Sequence, residues 1–249
     1  MKLTGNTIFI TGSTSGIGRS LAEALHKRGN QVIVSGRRKS HLADLTKANP
    51  GMQSIELNIE DPKSIAAAAK KLIAEYPNLN VLINNAGIMR ADDAAAPIDE
   101  ITLLSTITTN LLGPIRMTSA LIDHLKKQPA ATVINVSSGL AFVPLASSAV
   151  YSATKAALHS YTQSMRYKLR GTSVAVLELA PPWVQTDLLN SKDEPRAMPL
   201  PQFIDETMIV LGTDAQEVLV ERVKMQRNNP GPNETAFITQ FNDMVSQAH

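Results

Sequence analysis

Residues 7–18 read TIFITGSTSGIG. Thr7, Ile8, Phe9 and Ile10 form a short β-prone run that enters a turn with glycine at positions 12, 16 and 18. A helical pattern follows over residues 17–28, with Leu21, Ala24 and Leu25 on one face and Gly29 as its stop. A strand, a Gly-rich turn and a helix start, in that order, make a cradle for a phosphate. Glycine lets the backbone approach closely, and the first-turn N–H groups point at the anion. The spacing is G-x-x-x-G-x-G, and Ser13, Thr14 and Ser15 add hydroxyl groups. Gly12, Ser13, Thr14, Ser15, Gly16, Ile17 and Gly18 are therefore the candidate phosphate-binding residues.

The pattern repeats along the chain. Residues 32–34 read as a second buried strand, 40–48 as a helix, and 54–58 as a third strand. Asp61-Pro62 is an N-cap followed by proline at the first helical position, opening a helix to residue 75. Residues 81–83 form a fourth strand ending in Asn84-Asn85-Ala86-Gly87. A long helical stretch spans 98–127, and Pro114 predicts a kink within it. Residues 132–136 and 174–179 are strands five and six, separated by a helix over 150–170. Strands alternating with helices predict an α/β fold: a doubly wound parallel sheet of the Rossmann type with six to seven strands and helices on both faces. Right-handed crossovers then gather the loops after each strand at one edge of the sheet, where such sheets bind ligands.

With 249 residues, the expectation is one domain over 1–249. A net charge of +2 gives no basis for a nucleic acid or an anionic membrane as partner. The chain has no cysteine, which excludes disulfides, thiolate metal sites and a cysteine nucleophile. Its first apolar run, residues 8–10, is too short for a signal-peptide core, and no stretch approaches membrane-span length. A cytoplasmic protein is the expectation. The five histidines have no metal-ligand spacing and read as surface or helix-flanking residues, so no metal is expected.

The second strand ends Ser35-Gly36-Arg37-Arg38-Lys39. A carboxylate at that place would bond the ribose hydroxyls of a dinucleotide and repel a 2′-phosphate. Arg37 and Arg38 instead offer guanidinium groups to a phosphate, and Gly36 leaves room for it. The expected cofactor is NADP(H), with NAD(H) as runner-up. S-adenosylmethionine enzymes also use a Gly-rich loop, but usually with a carboxylate after the second strand. Asn58 and Ile59, after the third strand, are candidates for the adenine edge. Asn85, Ala86 and Gly87 follow the fourth strand and join the candidate cofactor set, with Asn84 and Asn85 able to tie that strand to its neighbours.

Tyr151 and Lys155 lie one helical turn apart, thirteen residues after Ser138. Reducing a ketone by hydride requires a proton for the developing alkoxide. A free phenol has a pKa of about 10, and moving it to about 7 takes roughly 4 kcal/mol of preferential phenolate stabilisation. Lys155 is a cation placed to contribute to it, and Ser138 can donate to the substrate oxygen. TGSTSGIG, NNAG, Asn110, Ser138, Tyr151 and Lys155 together resemble the short-chain dehydrogenase/reductase family in order and spacing, over nearly the whole chain. The resemblance implies an NADP(H)-dependent oxidoreductase acting between a carbonyl and a secondary alcohol, with Tyr151 as general acid/base. It implies that Lys155 also holds the nicotinamide ribose and that Asn110 positions a water for proton delivery. Pro181, Val184 and Thr186 resemble its nicotinamide-holding segment, although Pro182 stands where the family usually has glycine. The chain is also similar to a branch associated with D-alanylation of teichoic acids. A protein of the same fold that binds the dinucleotide without turnover is the alternative.

Met89, Leu140, Phe142, Val143, Leu145, Trp183 and Leu188 predict an apolar substrate pocket, with Arg90 and Arg196 as candidates for an acidic group. Residues 187–201, and at most 187–212, read as a substrate lid. The family's usual ending, a seventh strand with a Gly-rich tail, is not visible in the sequence. The family's helices around Asn110 and Tyr151 imply a homodimer or homotetramer, with Ala153, Ala156 and Ala157 permitting close approach.

Overall fold

The computed structural model describes residues 1–229 and 231–246. The opening strand β1 (Thr7–Ile10) carries four buried residues and enters α1 (Gly16–His26) through the Gly turn. Gly12 and Gly16 hold φ of 62° and 54°, left-handed values that favour glycine. There follow β2 (Gln31–Gly36), α2 (Lys39–Ala48), β3 (Gln53–Glu56), α3 (Pro62–Glu75) and β4 (Leu79–Asn84). Asp61 caps α3 as expected, its carboxylate accepting from the Lys63 N–H at 2.9 Å.

The stretch predicted as one kinked helix is α4 (Glu100–Ile107), a π-helical turn over Thr108–Leu112, and α5 (Gly113–Leu125). The Gly113 N–H bonds back to the Thr108 carbonyl, so the widened turn lies ahead of Pro114. Pro114 sits in the first turn of α5, where its missing N–H is tolerated. Next come β5 (Ala131–Val136), α6 (Ala149–Leu169), β6 (Val174–Leu179), α7 (Leu200–Leu211), β7 (Glu217–Val218), α8 (Lys224–Arg227) and α9 (Glu234–Ser246).

Among the described residues seven strands form one parallel sheet, in the order β3-β2-β1-β4-β5-β6-β7. Alternate residues of each strand face opposite layers. Ile8, Ile10, Val32 and Val34 pack with Leu21 and Leu25 of α1 and with Phe203 and Met208 of α7. Phe9, Ile33 and Leu82 pack with Leu72 of α3, Met117 and Leu121 of α5, and Met165 of α6. Each fully buried side chain of this size contributes about 1.5–3 kcal/mol of transfer free energy. Two half-cores on either side of one sheet are the doubly wound architecture. The two-residue β7 completes the sheet, which the sequence does not disclose. No helix among the described residues is long and apolar enough to cross a membrane.

Candidate active site

The sheet order puts the C-terminal ends of β1 and β4 side by side, and β4 beside β5. Polar side chains lock those ends together. Thr11 accepts from the N–H groups of Asn85 and Ala86, both at 3.0 Å. The Asn85 amide donates to the carbonyls of Thr11 and Gly12 at 3.1 and 2.9 Å. Asn84 donates to Asn135 and Thr118, and Asn135 donates on to Thr162 of α6. This is the tying role expected of Asn84 and Asn85. Thr11, a buried hydroxyl at the start of the turn, is a partner the sequence did not single out.

The glycines are where side chains cannot be. A Cβ at Gly12 would lie 2.6 Å from the Ala86 Cα, and one at Gly18 would lie 2.3 Å from the Asn85 amide nitrogen. A Cβ at Gly16 would lie 3.4 Å from the Thr186 Cβ. Ser15 occupies the cap position of α1 without a side-chain cap bond, which leaves first-turn N–H groups to an anion. Ile17 is half-buried in that turn and packs on the core.

Ser13 departs from expectation. Its hydroxyl is buried and donates to the carbonyls of Ile10 and Ser35, and its N–H bonds Ser35 as well. It fastens the Gly turn to β2 and has no group left for a phosphate. Thr14 stays at the rim, where Arg38 reaches its hydroxyl at 3.4 Å. A Cβ at Gly36 would lie 2.7 Å from the Thr14 methyl, so glycine lets the turn and the end of β2 meet. Arg37 is exposed and has no ion-pair partner among the described residues. A recess of about 200 Å³ beside the turn is lined by Thr14, Arg19, His41, Asp44 and Leu45. Asn58 is half-buried, and its Oδ1 accepts from the Glu60 N–H at 3.2 Å. The Ile59 side chain points into the core, 2.6 Å from where a Cβ on Gly113 would sit, so its backbone is what remains for a ligand.

The four catalytic candidates are all buried. Helix α6 places Tyr151 and Lys155 on one face, and Asp92 caps that helix by accepting from the Ala149 and Val150 N–H groups at 2.8 and 3.0 Å. Asp92 lies too far away in sequence for its role to be read there. Lys155 Nζ donates to the Val136 carbonyl at 2.8 Å and lies 5.5 Å from the centre of the Tyr151 ring. Burial pushes the Tyr151 phenol up to about 12, opposed by its hydrogen bond with Ser138. Burial also pushes Lys155 down to about 8, opposed by the Glu178 carboxylate. The phenol is therefore raised by its protein surroundings, where lowering to about 7 was expected. Desolvation outweighs the polar contacts the chain itself supplies.

Asn110 sits in the π turn with its amide fully engaged. Its Oδ1 accepts from the Ile88 N–H at 2.9 Å, and its Nδ2 donates to the Ile88 carbonyl and to Thr154. A Cβ at Gly87 would lie 3.4 Å from Asn110 Oδ1 and 3.6 Å from Lys155 Nζ. Gly87 thus keeps a cradle open over the Lys155 ammonium. The backbone after β6 continues this surface: the buried Pro181 carbonyl accepts from Gly139, Val184 bridges Met198, and Thr186 caps Leu188.

The apolar candidates divide. Val143 is fully buried core. Met89, Leu140, Phe142 and Leu145 are half-buried, and Trp183 and Leu188 are exposed. Arg196 is held in a fork by Glu194 at 2.8 and 2.9 Å and stacks 5.1 Å from the Trp183 ring, which removes it as a free acid-binding group. Arg90 remains exposed. Of the predicted lid, α7 is core, with Phe203 and Met208 buried against α1.

His159 overturns the surface reading of the histidines. Its Nδ1 lies 2.7 Å from the carboxylate of the fully buried Glu178, which also accepts from Ser137. The donor atoms of His159, Glu178 and Glu217 lie within 4.8 Å of one another, but each residue already has a protein partner. The one signal in sequence was a glutamate inside the apolar strand VAVLEL, a residue that is rarely buried unless paired.

Residues 6–197 match the family of short chain dehydrogenases. The chain is 39% identical over 234 residues to the uncharacterized oxidoreductase DltE of Bacillus subtilis, covering 92% of this chain and 93% of that one. It is 31% identical over 210 residues to the 3-oxoacyl-[acyl-carrier-protein] reductase FabG of Vibrio cholerae, covering 81% and 83%. A short chain dehydrogenase from Burkholderia cenocepacia, solved in complex with NADP, superposes with a TM-score of 0.85 at 27% identity, covering 96% and 98%. The family match spans the Gly turn, the tied strand ends and the helix of Tyr151 and Lys155, and the chain is a member of the short chain dehydrogenase family of oxidoreductases.

Proposed function

We propose that this protein uses NADP(H) to interconvert a carbonyl compound and a secondary alcohol, with Tyr151 as the proton donor and acceptor. The observation that carries this reading is the joint burial of Tyr151, Lys155, Ser138 and Asn110, with Lys155 and Asn110 beside the open face of Gly87. Bound there, the cofactor supplies the hydride and, when oxidised, a positive charge near the phenol.

The residues fit that group. The Gly12–Gly18 turn and the start of α1 suit a pyrophosphate, and Arg37, with Arg38 beside Thr14, suits a 2′-phosphate. Thr186, facing Gly16, and Val184 border the nicotinamide end. In the reducing direction Tyr151 Oη gives its proton to the substrate oxygen as an O–H bond forms there. Ser138 donates to the same oxygen and stabilises its developing charge. A phenol raised to about 12 is fully protonated at neutral pH but a weak acid. Loss of that proton needs positive charge nearby, and Lys155 supplies it as long as it is charged. Asn110 holds the Ile88 peptide, and with it Gly87, against Lys155. Its amide is taken up by Ile88 and Thr154, so its role is positioning rather than proton delivery through that side chain.

The substrate side favours an apolar carbonyl compound, because the candidate lining, Met89, Leu140, Phe142, Leu145, Trp183 and Leu188, is apolar and Arg196 is engaged by Glu194. The lid narrows to residues 187–199, where Trp183 Nε1 donates to Ser191 at 2.8 Å across the loop. Exposed Ile101 and Leu104 on α4, beside exposed Ala153 and Ala156 on α6, give this reading a homodimer face. A panel of ketones and aldehydes followed at the NADPH absorbance tests the function. Turnover of apolar carbonyls with NADPH supports it. Cofactor binding with no turnover across the panel favours a protein that binds the dinucleotide without catalysis.

A further inference from the structure

We infer that Glu178 is a positioning residue of the catalytic centre, a buried counter-charge for Lys155 held in place by Ser137 and His159. The inference rests on the oxidoreductase reading for the task it gives Lys155, and its test reads Lys155 directly.

Residues from three parts of the chain meet at this carboxylate. Glu178 lies on β6 and is completely buried. From the residue just after β5, the Ser137 hydroxyl donates to its Oε1 at 2.5 Å. From α6, His159 Nδ1 meets its Oε2 at 2.7 Å. Tyr151, Lys155 and His159 are spaced by four residues each, so the helix presents all three on one face. Lys155 Nζ is bonded to the carbonyl of Val136, the residue just before Ser137. The ammonium and the carboxylate are thus joined to two adjacent residues, Val136 at the end of β5 and Ser137 after it, immediately ahead of Ser138.

The other charges nearby are accounted for. Glu217 on β7 pairs with Glu178 in the sheet register and is forked by Arg227 at 2.8 and 3.1 Å. Arg227 also acts on Glu178 from α8 and stacks on Phe142, whose ring meets His159 edge-on at 5.1 Å. Arg166 on α6 bonds the Val176 and Gln216 carbonyls and acts on Glu217. Glu217 is forked by Arg227, while Glu178 is held by Ser137 and His159 and acts on Lys155 through space. A buried carboxylate is costly in a strand that any apolar residue would complete, and it opposes the burial that lowers Lys155 to about 8.

The experiment is an NMR titration of the protein with isotope-labelled lysine side chains, with Lys155→Met identifying the Lys155 signal. In Glu178→Gln the Lys155 midpoint is expected to fall by about one pH unit, the scale of a lost opposite charge. In Glu178→Asp, which keeps the charge, it is expected to return toward the wild-type value. Equal midpoints in wild type and Glu178→Gln would overturn the inference. Should Glu178→Gln fail to fold, the carboxyl carbon of Glu178 in the wild-type protein decides: a carboxylate signal at pH 7 supports the inference and a carboxylic acid signal overturns it. The high-pH limb of the turnover profile should move down with the Lys155 midpoint. A wild-type protein that turns over no carbonyl would defeat the oxidoreductase reading, while the lysine titration would still decide the role of Glu178.

Discussion

Lys155 Nζ is bonded to the Val136 carbonyl at 2.8 Å and stands 5.5 Å from the centre of the Tyr151 ring. The amine is thus anchored to the sheet and not to the phenol. In the proposed mechanism its influence on Tyr151 is electrostatic, and that role requires Lys155 to keep its proton in a buried place.

That burial has a pH signature in stability. Lys155 has a native pKa of about 8, below its value of about 10.4 in an unfolded chain. Between those values the unfolded state holds a proton that the native state has released, so this group's contribution to stability rises with pH. Below about 8 the burial penalty is fully present. Lys155→Met is therefore expected to be stabilised relative to wild type at pH 7, with a smaller advantage at pH 9.5. Urea unfolding at both pH values measures this, and a pH-independent difference would contradict it. Tyr151, raised to about 12, works in the opposite direction only above pH 10.

Arg37→Ala is expected to weaken NADP⁺ binding by about tenfold or more, the scale of one lost charge-assisted hydrogen bond, and to leave NAD⁺ binding unchanged. Calorimetry with both dinucleotides checks this. Equal losses for the two would remove Arg37 from the 2′-phosphate.

Gly18→Ala places a methyl group 2.3 Å from the Asn85 amide nitrogen and 2.6 Å from the Gly12 carbonyl. One of the bonds tying the Gly turn to β4 must give way. Destabilisation of about 1–3 kcal/mol is expected, together with weaker dinucleotide binding. Thermal unfolding and a binding isotherm read the two effects. Gly29→Ala is the control, since a Cβ there meets nothing within 4 Å and only its φ of 81° opposes it.

The legible parts of the fold were those set by local sequence. TIFI, the Gly turn, Asp61-Pro62 and the spacing of Tyr151 and Lys155 each carry their own geometric rule, and each appears where that rule puts it. Other features arise only from contacts across the chain. The π turn is held by Asn110 bonding Ile88, 22 residues away. β7 has two residues, too few for any periodicity, and exists because Glu217 and Val218 pair with β6. Ser13 looked like a phosphate donor until β2 supplied Ser35 as its partner. The partners of Glu178 lie just after β5 and on α6, and that of Glu217 on α8, so a glutamate in an apolar strand marked a place without naming its company. The Tyr151 phenol shows the same limit, because spacing reveals a neighbouring cation but not the depth of burial.

The most direct test of the central claim is steady-state reduction of an accepted carbonyl substrate by Tyr151→Phe, beside a measurement of NADPH binding. The expected result is a fall in kcat of about 10²–10⁴-fold with NADPH affinity retained, because the ring stays and only the transferable proton is lost. Turnover equal to wild type in the phenylalanine variant would contradict the account.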